Sequence, residues 1–371
     1  MLKTALNIIR KHGVNIPGWR TKRKILVIES DDWGSIRMAS PDSNERLKKA
    51  GVNINSNPFF QFDTLESRED LKLLFDLLKS FKDCTGAHLK ISPISLVANP
   101  DFKKIEQSGF RDYHYKGLKE SYLHAHKDSS LLDYWRKEGI ESGIFVPQFH
   151  GREHLNPLKW FEVLRKNIIF EKIAFEDGVL LGAHHDFLPG SKSYMAAFEW
   201  HSPEQKKFVL DMIVDGTRLF EETFGYKSVS FASSQAIQNQ DSNATLLDCG
   251  IKFHQLGQYY EPQEDNSLKM KNKFWGAKND IGQTYWRRNA RFEPSKLQEQ
   301  DWVQTCFDEI KTAFLWGKPA VISSHRVNFV GGMSKENRDK NISLLGDLLE
   351  KVQKKWPEVE FMNSEELSRL L

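Results

Sequence analysis

Short apolar runs alternate with helix-length segments along the whole of this chain, and that alternation restricts it to a parallel α/β architecture. The runs fall at residues 24–30, 87–95, 143–149, 228–232, 252–255, 320–323 and 359–362. Between them lie segments of helical period. Residues 70–81 carry Leu71, Leu74, Leu77 and Leu78 on one face, and Asn156-Pro157 opens a helix with Trp160, Phe161 and Leu164 inward. Further helices are expected at 130–138, 207–224, 241–249 (closed by Gly250), 301–316 and 336–356. No internal repeat, low-complexity tract or Pro/Gly-rich linker divides the chain, so its 371 residues read as one domain, 1–371.

The ends of the runs choose between an open sheet and a barrel. Asp31-Asp32, His150, Ser233-Ser234-Gln235 and His325 each stand just past an apolar run. Parallel barrels assemble active sites on the rim formed by the C-terminal ends of their strands. An open dinucleotide-binding sheet is disfavoured, because no Gly-rich phosphate loop follows the first run.

Asp31 and Asp32 close the run Ile25-Leu26-Val27-Ile28 with adjacent carboxylates. Like charges so close resist ionising together unless a cation sits beside them. A metal ion resolves the conflict, and His150 and His154 offer two imidazoles at a spacing that places both on one side of a helical turn. One carboxylate and two His leave an open position for water, the pattern of a catalytic site and not a structural one. Asp31 is then free to take a proton, and His325 is the candidate to give one. Neighbouring candidates for substrate contact are Trp33, Arg152, Ser234, Arg326 and Asn328. His184-His185-Asp186 sits in a loop-like stretch that reads as part of a lid, with no metal role required.

The Asp31-Asp32-Trp33-Gly34 strand end, the His150-x-x-x-His154 pair and the late run ending in His325 resemble the NodB-type polysaccharide deacetylases, carbohydrate esterase family four. The resemblance spans residues 24–330. It implies a distorted (β/α) barrel of about seven parallel strands. Asp31 becomes the base, Asp32, His150 and His154 the ligands of a divalent metal, zinc first, and His325 the acid. It also implies an acetylated sugar or glycan as substrate. Residues 170–225 become a lid insertion and 336–356 a C-terminal helix. Two departures mark a divergent branch. Trp33 separates the Asp pair from Gly34, and the segment that carries the family's base-bracing Arg reads here Phe231-Ala232-Ser233-Ser234-Gln235. Arg152, Arg326 and the arginines of Trp286-Arg287-Arg288-Asn289-Ala290-Arg291 are the candidates to replace that brace.

Composition excludes other classes. Lys plus Arg number 53 against 50 Asp plus Glu, a net charge of +3, which gives no electrostatic footprint for nucleic acid. No stretch reaches membrane-spanning length, and the first twelve residues have no signal-peptide core. Three separated cysteines, Cys84, Cys249 and Cys306, suit buried thiols in a reducing compartment, hence the cytoplasm. Two other functions remain open. A glycoside hydrolase needs a second carboxylic acid across the cleft, Glu293 or Asp186. A non-catalytic glycan-binding protein on the same barrel needs no working base.

Overall fold

The computed structural model describes residues 12–371; the reading of the extreme N-terminus lies outside them. Nine strands form the main sheet: β1 (Ile25–Trp33), β2 (Ile91–Leu96), β3 (Gln148–Gly151), β4 (Ser230–Phe231), β5 (Phe253–His254), β6 (Thr284–Tyr285), β7 (Ala290–Arg291), β8 (Ala320–His325) and β9 (Glu360–Met362). Their order is β6-β5-β4-β3-β2-β1-β8-β7, with β9 pairing the first residues of β1. Every pairing in this sheet is parallel.

The two edges of the sheet, β6 and β7, are joined by only residues 286–289. Such a link spans at most about 18 Å, so the sheet must curl until its edges nearly meet. The link ties them: the Trp286 N–H donates to the His254 carbonyl on one edge, and the Asn289 N–H to the Val321 carbonyl beside the other. The expected distorted barrel is therefore present. It has more strands than the seven anticipated because β6 and β7 are two residues each, too short for any periodicity.

Alternation along β1 and β8 sorts the barrel into an inside and an outside. Leu26, Ile28, Ala320 and Ile322 join the large outer core beneath the helices. That core takes Leu71, Leu74, Phe75 and Leu78 from α1 (Arg68–Ser80), whose Ser67 and Asp70 make a reciprocal capping box. It takes Val209, Met212, Ile213 and Phe220 from α3 (Pro203–Phe224). On the inside, Ile25, Val27 and Val321 pack with Trp275, Trp286 and Leu367 at the barrel floor. The same inner face continues upward to Glu29 and Asp31 on β1 and to His325 on β8.

Several strands start or stop away from their expected limits. The run at 143–149 pairs fully only from Gln148, because Pro147 has no N–H for the ladder. The run at 87–95 becomes a strand only from Ile91. A hairpin of Gln258–Pro262 with Leu268–Asn272 had no expectation at all. The stretch 170–225 is composite. Its second half is α3, part of the outer core, while Leu180, Leu188, Tyr194 and Met195 pack on Trp160 and Phe161 of α2 (Pro157–Arg165) in a satellite cluster. Cys306 is buried but Cys84 is exposed. Among the described residues no helix is long and apolar enough to cross a membrane.

Candidate active site

A regular strand would send Asp31 and Asp32 to opposite faces. Here β1 carries a bulge. From Ser30 to Trp33 it advances three residues while β2 advances two, from Pro93 to Ser95, and Asp32 takes a left-handed φ of 76°. The extra residue turns both carboxylates toward the rim. It also sends Trp33 outward, where its indole donates to Ser30 Oγ at 2.9 Å and packs edge-on against Trp135 and Phe145. Trp33 is fully buried there, so its expected substrate contact is corrected. Gly34, at φ 84°, follows, and a Cβ on it would lie 2.4 Å from the Leu96 carbonyl oxygen. Gly34→Ala is expected to cost roughly 1–3 kcal/mol of stability, read as a lower denaturant midpoint. An unchanged midpoint would mean that the bulge adapts freely.

Asp32 Oδ1 lies 3.3 Å from His150 Nε2 and 3.2 Å from His154 Nε2. All three residues are buried, and their candidate ligand atoms lie within 4.8 Å of one another. His150 lies on β3, one residue before its end, whereas His154 stands in the bend after it; the pair does not share a helical turn as expected. Gly151, at φ 139°, makes that bend. His150 Nδ1 lies 2.7 Å from the Ala232 carbonyl, which can only accept. Nδ1 therefore carries a proton for that carbonyl, which leaves Nε2 as the ring nitrogen that faces Asp32. That Nε2 is buried with no hydrogen-bond partner, as is His154 Nδ1. Burial lowers the His154 pKa to about 4 despite the opposing pull of Asp32, so the ring is neutral near neutral pH. Burial opposes ionisation of Asp32 too, but the two His and Arg37 hold its carboxyl well below the ordinary value. One carboxylate and two imidazoles, each with a buried nitrogen that lacks a hydrogen-bond partner, fit a divalent metal.

Asp31 faces the opposite side of this trio. Arg288 grips it with two bonds, Nη1 to Oδ2 at 2.5 Å and Nη2 to Oδ1 at 2.8 Å. The same guanidinium bonds Glu29 through Nε at 2.7 Å and Gln255 through Nη2 at 3.1 Å. One cation cannot neutralise two carboxylates. Burial pushes the fully enclosed Glu29 above its ordinary pKa. Burial also opposes ionisation of Asp31, but Arg288 outweighs it and holds the carboxyl below its ordinary value. Of the arginines considered for the brace, Arg288 is the one bonded to Asp31.

His325 pairs in register with Asp31 across β1 and β8. Its Nε2 is 3.9 Å from Asp31 Oδ2, and its Nδ1 is 2.5 Å from Glu293 Oε1. Burial alone lowers the His325 pKa; Glu293 reverses that and raises it.

The remaining expected contacts are corrected by their partners. Arg152 is bonded to Glu153 and Asp215 and lies over the Tyr115 ring, on the α3 side. Ser234 is fully buried and accepts from the Ala197 N–H. Arg326 is fully buried, bonded to Asp63, Glu66 and the Ser35 carbonyl. Asn328, also fully buried, donates to Glu293 Oε2 at 3.0 Å and holds the partner of His325 instead of a substrate. Asp186 is exposed and paired with Lys192. His185 is buried against Glu171. Glu29, Arg37 and Gln255 belong to the site without having been assigned to it, and Glu293, considered only as a glycosidase acid, belongs to it as the partner of His325.

No family model and no curated protein matches the chain. Solved structures do resemble it. PuuE allantoinase is 13% identical, with 96% of this chain and 94% of that chain covered and a TM-score of 0.46. A protein described as a polysaccharide deacetylase from Pseudomonas aeruginosa is 12% identical, covering 94% and 91%, with a TM-score of 0.42. The α-amylase AmyC from Thermotoga maritima is 9% identical, covering 95% and 75%, with a TM-score of 0.45. Resemblance at this level decides nothing about the chemistry.

Proposed function

We propose that the chain is a metal-dependent hydrolase, a single NodB-like catalytic domain that removes an acetyl group from an N-acetylated sugar or related glycan. The observation that carries this reading is the buried Asp32–His150–His154 trio flanked by an Arg-held carboxylate, Asp31, and a carboxylate-held imidazole, His325. A divalent cation held by the trio, zinc first, supplies Lewis-acid polarisation and an acidified water. The chain's own groups do the proton work. Asp31, kept ionised by Arg288, accepts the proton of the attacking water. Glu293 fixes the His325 Nδ1–H, so the proton given to the departing amine comes from Nε2. Ser233 Oγ, buried without a partner beside the carbonyl that orients His150, is the candidate donor to the acyl oxygen. Acetate and a free amino sugar result.

The glycoside-hydrolase alternative loses support from the same geometry, since Glu293 is committed to His325 and Asp186 points to solvent. The test is metal analysis with an acetate-release assay on N-acetylated and O-acetylated sugars. Stoichiometric metal with release supports the reading; loaded protein inactive on every acetylated sugar overturns it. A second outcome follows from His325. An acid works while protonated, so turnover falls as pH rises through its pKa. Glu293→Gln removes what raises that pKa, and the alkaline limb of the kcat–pH profile is expected to move to lower pH. A limb that stays in place would detach His325 from that limb.

A further inference from the structure

Among the described residues, the buried guanidiniums of Arg152, Arg288, Arg326 and Arg338 each hydrogen-bond at least two acceptors, and that of Arg37 bonds none. Arg288 and Arg326 each bond several acceptors. Arg37 is 8% exposed, yet it meets acceptors only at 3.6 Å: Asp32 Oδ2 from Nη2 and Asp63 Oδ2 from Nε. Its Nε is buried without any partner. Asp63 is shared, since Arg326 hydrogen-bonds both of its oxygens. A buried guanidinium N–H left in this state costs free energy that an incoming acceptor recovers.

A second cation lies near the same ring, Phe59. Arg37 and the Lys296 ammonium each lie 5.4 Å from the centre of the Phe59 ring, and Phe59 stands edge-on to His325 at 5.4 Å. The two cations are thus within twice that distance of one another, beside the proposed acid. Lys296 is one-third exposed and touches Glu293 at 3.2 Å, a carboxylate already shared with His325 and Asn328. A cleft of about 550 Å³ opens next to it, between Asn55, Gln61 and residues 295–300.

We propose that the site selects an anionic substrate: Arg37 and Lys296 bind a phosphate or carboxylate substituent of the acylated sugar on the Phe59 side of the metal trio. The fork of Arg37 supplies paired donors and Lys296 a point charge. A neutral sugar offers Arg37 only uncharged acceptors, which bond it more weakly. The anionic sugar is therefore bound about 10–100-fold more tightly, the scale of hydrogen bonds to charged groups. The substrate's identity as an acylated sugar rests on the hydrolase reading above; the anion site does not.

Calorimetry on chelator-treated protein with N-acetylglucosamine 1-phosphate, N-acetylmuramic acid and N-acetylglucosamine tests the proposal without turnover. At least one of the two anionic sugars is expected to bind tenfold or more tightly than the neutral one, and which one names the anion. The preference is expected to collapse in Arg37→Gln and to shrink in Lys296→Gln, whose exposed position keeps the test alive where Arg37→Gln fails to fold. Equal binding of all three sugars, or a preference that survives in Lys296→Gln and in any folded Arg37→Gln, overturns it. The two readings fail separately. Absent acetate release with an intact, variant-sensitive preference removes the hydrolase and leaves the anion site. Acetate release at equal kcat/KM from neutral and anionic sugars removes the anion site and leaves the hydrolase.

Discussion

Asp32→Ala is expected to yield a protein without bound metal and with turnover reduced by about a thousandfold or more. Loss of Lewis-acid stabilisation is worth several kcal/mol, and each 1.36 kcal/mol is a factor of ten. Asp32 supplies the negative ligand, while His150 and His154 supply ring nitrogens. The two imidazoles remain in place because Ala232 orients one and the Gly151 bend places the other. Metal analysis gives the first readout. Thermal unfolding gives the second, since a metal that binds only the folded state raises Tm by mass action. Chelator is expected to lower the wild-type Tm and leave Asp32→Ala unmoved. A variant that keeps stoichiometric metal removes Asp32 from the ligand set.

Arg288→Met is expected to be the most destabilising single substitution at the site, at about 3–5 kcal/mol, the usual result of stripping a buried ion pair of one partner. Two carboxylates lose their cation together, and Glu29 is fully buried. Methionine nearly preserves the volume, so the loss is electrostatic. Glu29→Gln in the same chain is expected to restore part of it, because the amide still accepts from the Trp286 indole and the Ser364 hydroxyl. Denaturant midpoints of the single and double variants measure this. A double variant no more stable than the single one would contradict the assignment of the cost to Glu29. Lysine at 288 is expected to be a poor substitute, since one ammonium cannot reproduce the paired bonds to Asp31 while also reaching Glu29 and Gln255.

The strand ends that carry the site were legible because each closes an apolar run with a polar residue, which needs no knowledge of its neighbours. What pairs with what was not. The bulge exists only against β2, and without it alternation would point Trp33 inward with Asp31; that is why a core tryptophan was read as a sugar contact. Proximity in sequence misled at Arg326 and Asn328. Both follow His325, but the chain turns into a short 3-10 helix there and buries them behind the site. Arg288 was visible only as one of several arginines, because the strands on either side of it are too short for a pattern. Arg37 was missed altogether: its significance lies in bonds it does not make.

The four-residue seam between β6 and β7 has a consequence for synthesis. Asp31 leaves the ribosome well before its guanidinium partner, which lies 257 residues later. Strand β8, the parallel neighbour of β1 that carries His325, is made later still. Until then two acids on the central strand have no counter-charge, and that strand cannot be buried cheaply. A nascent chain therefore has to wait for Arg288 before β1 is secure. Premature termination anywhere before the seam should leave insoluble fragments, not a partly active enzyme.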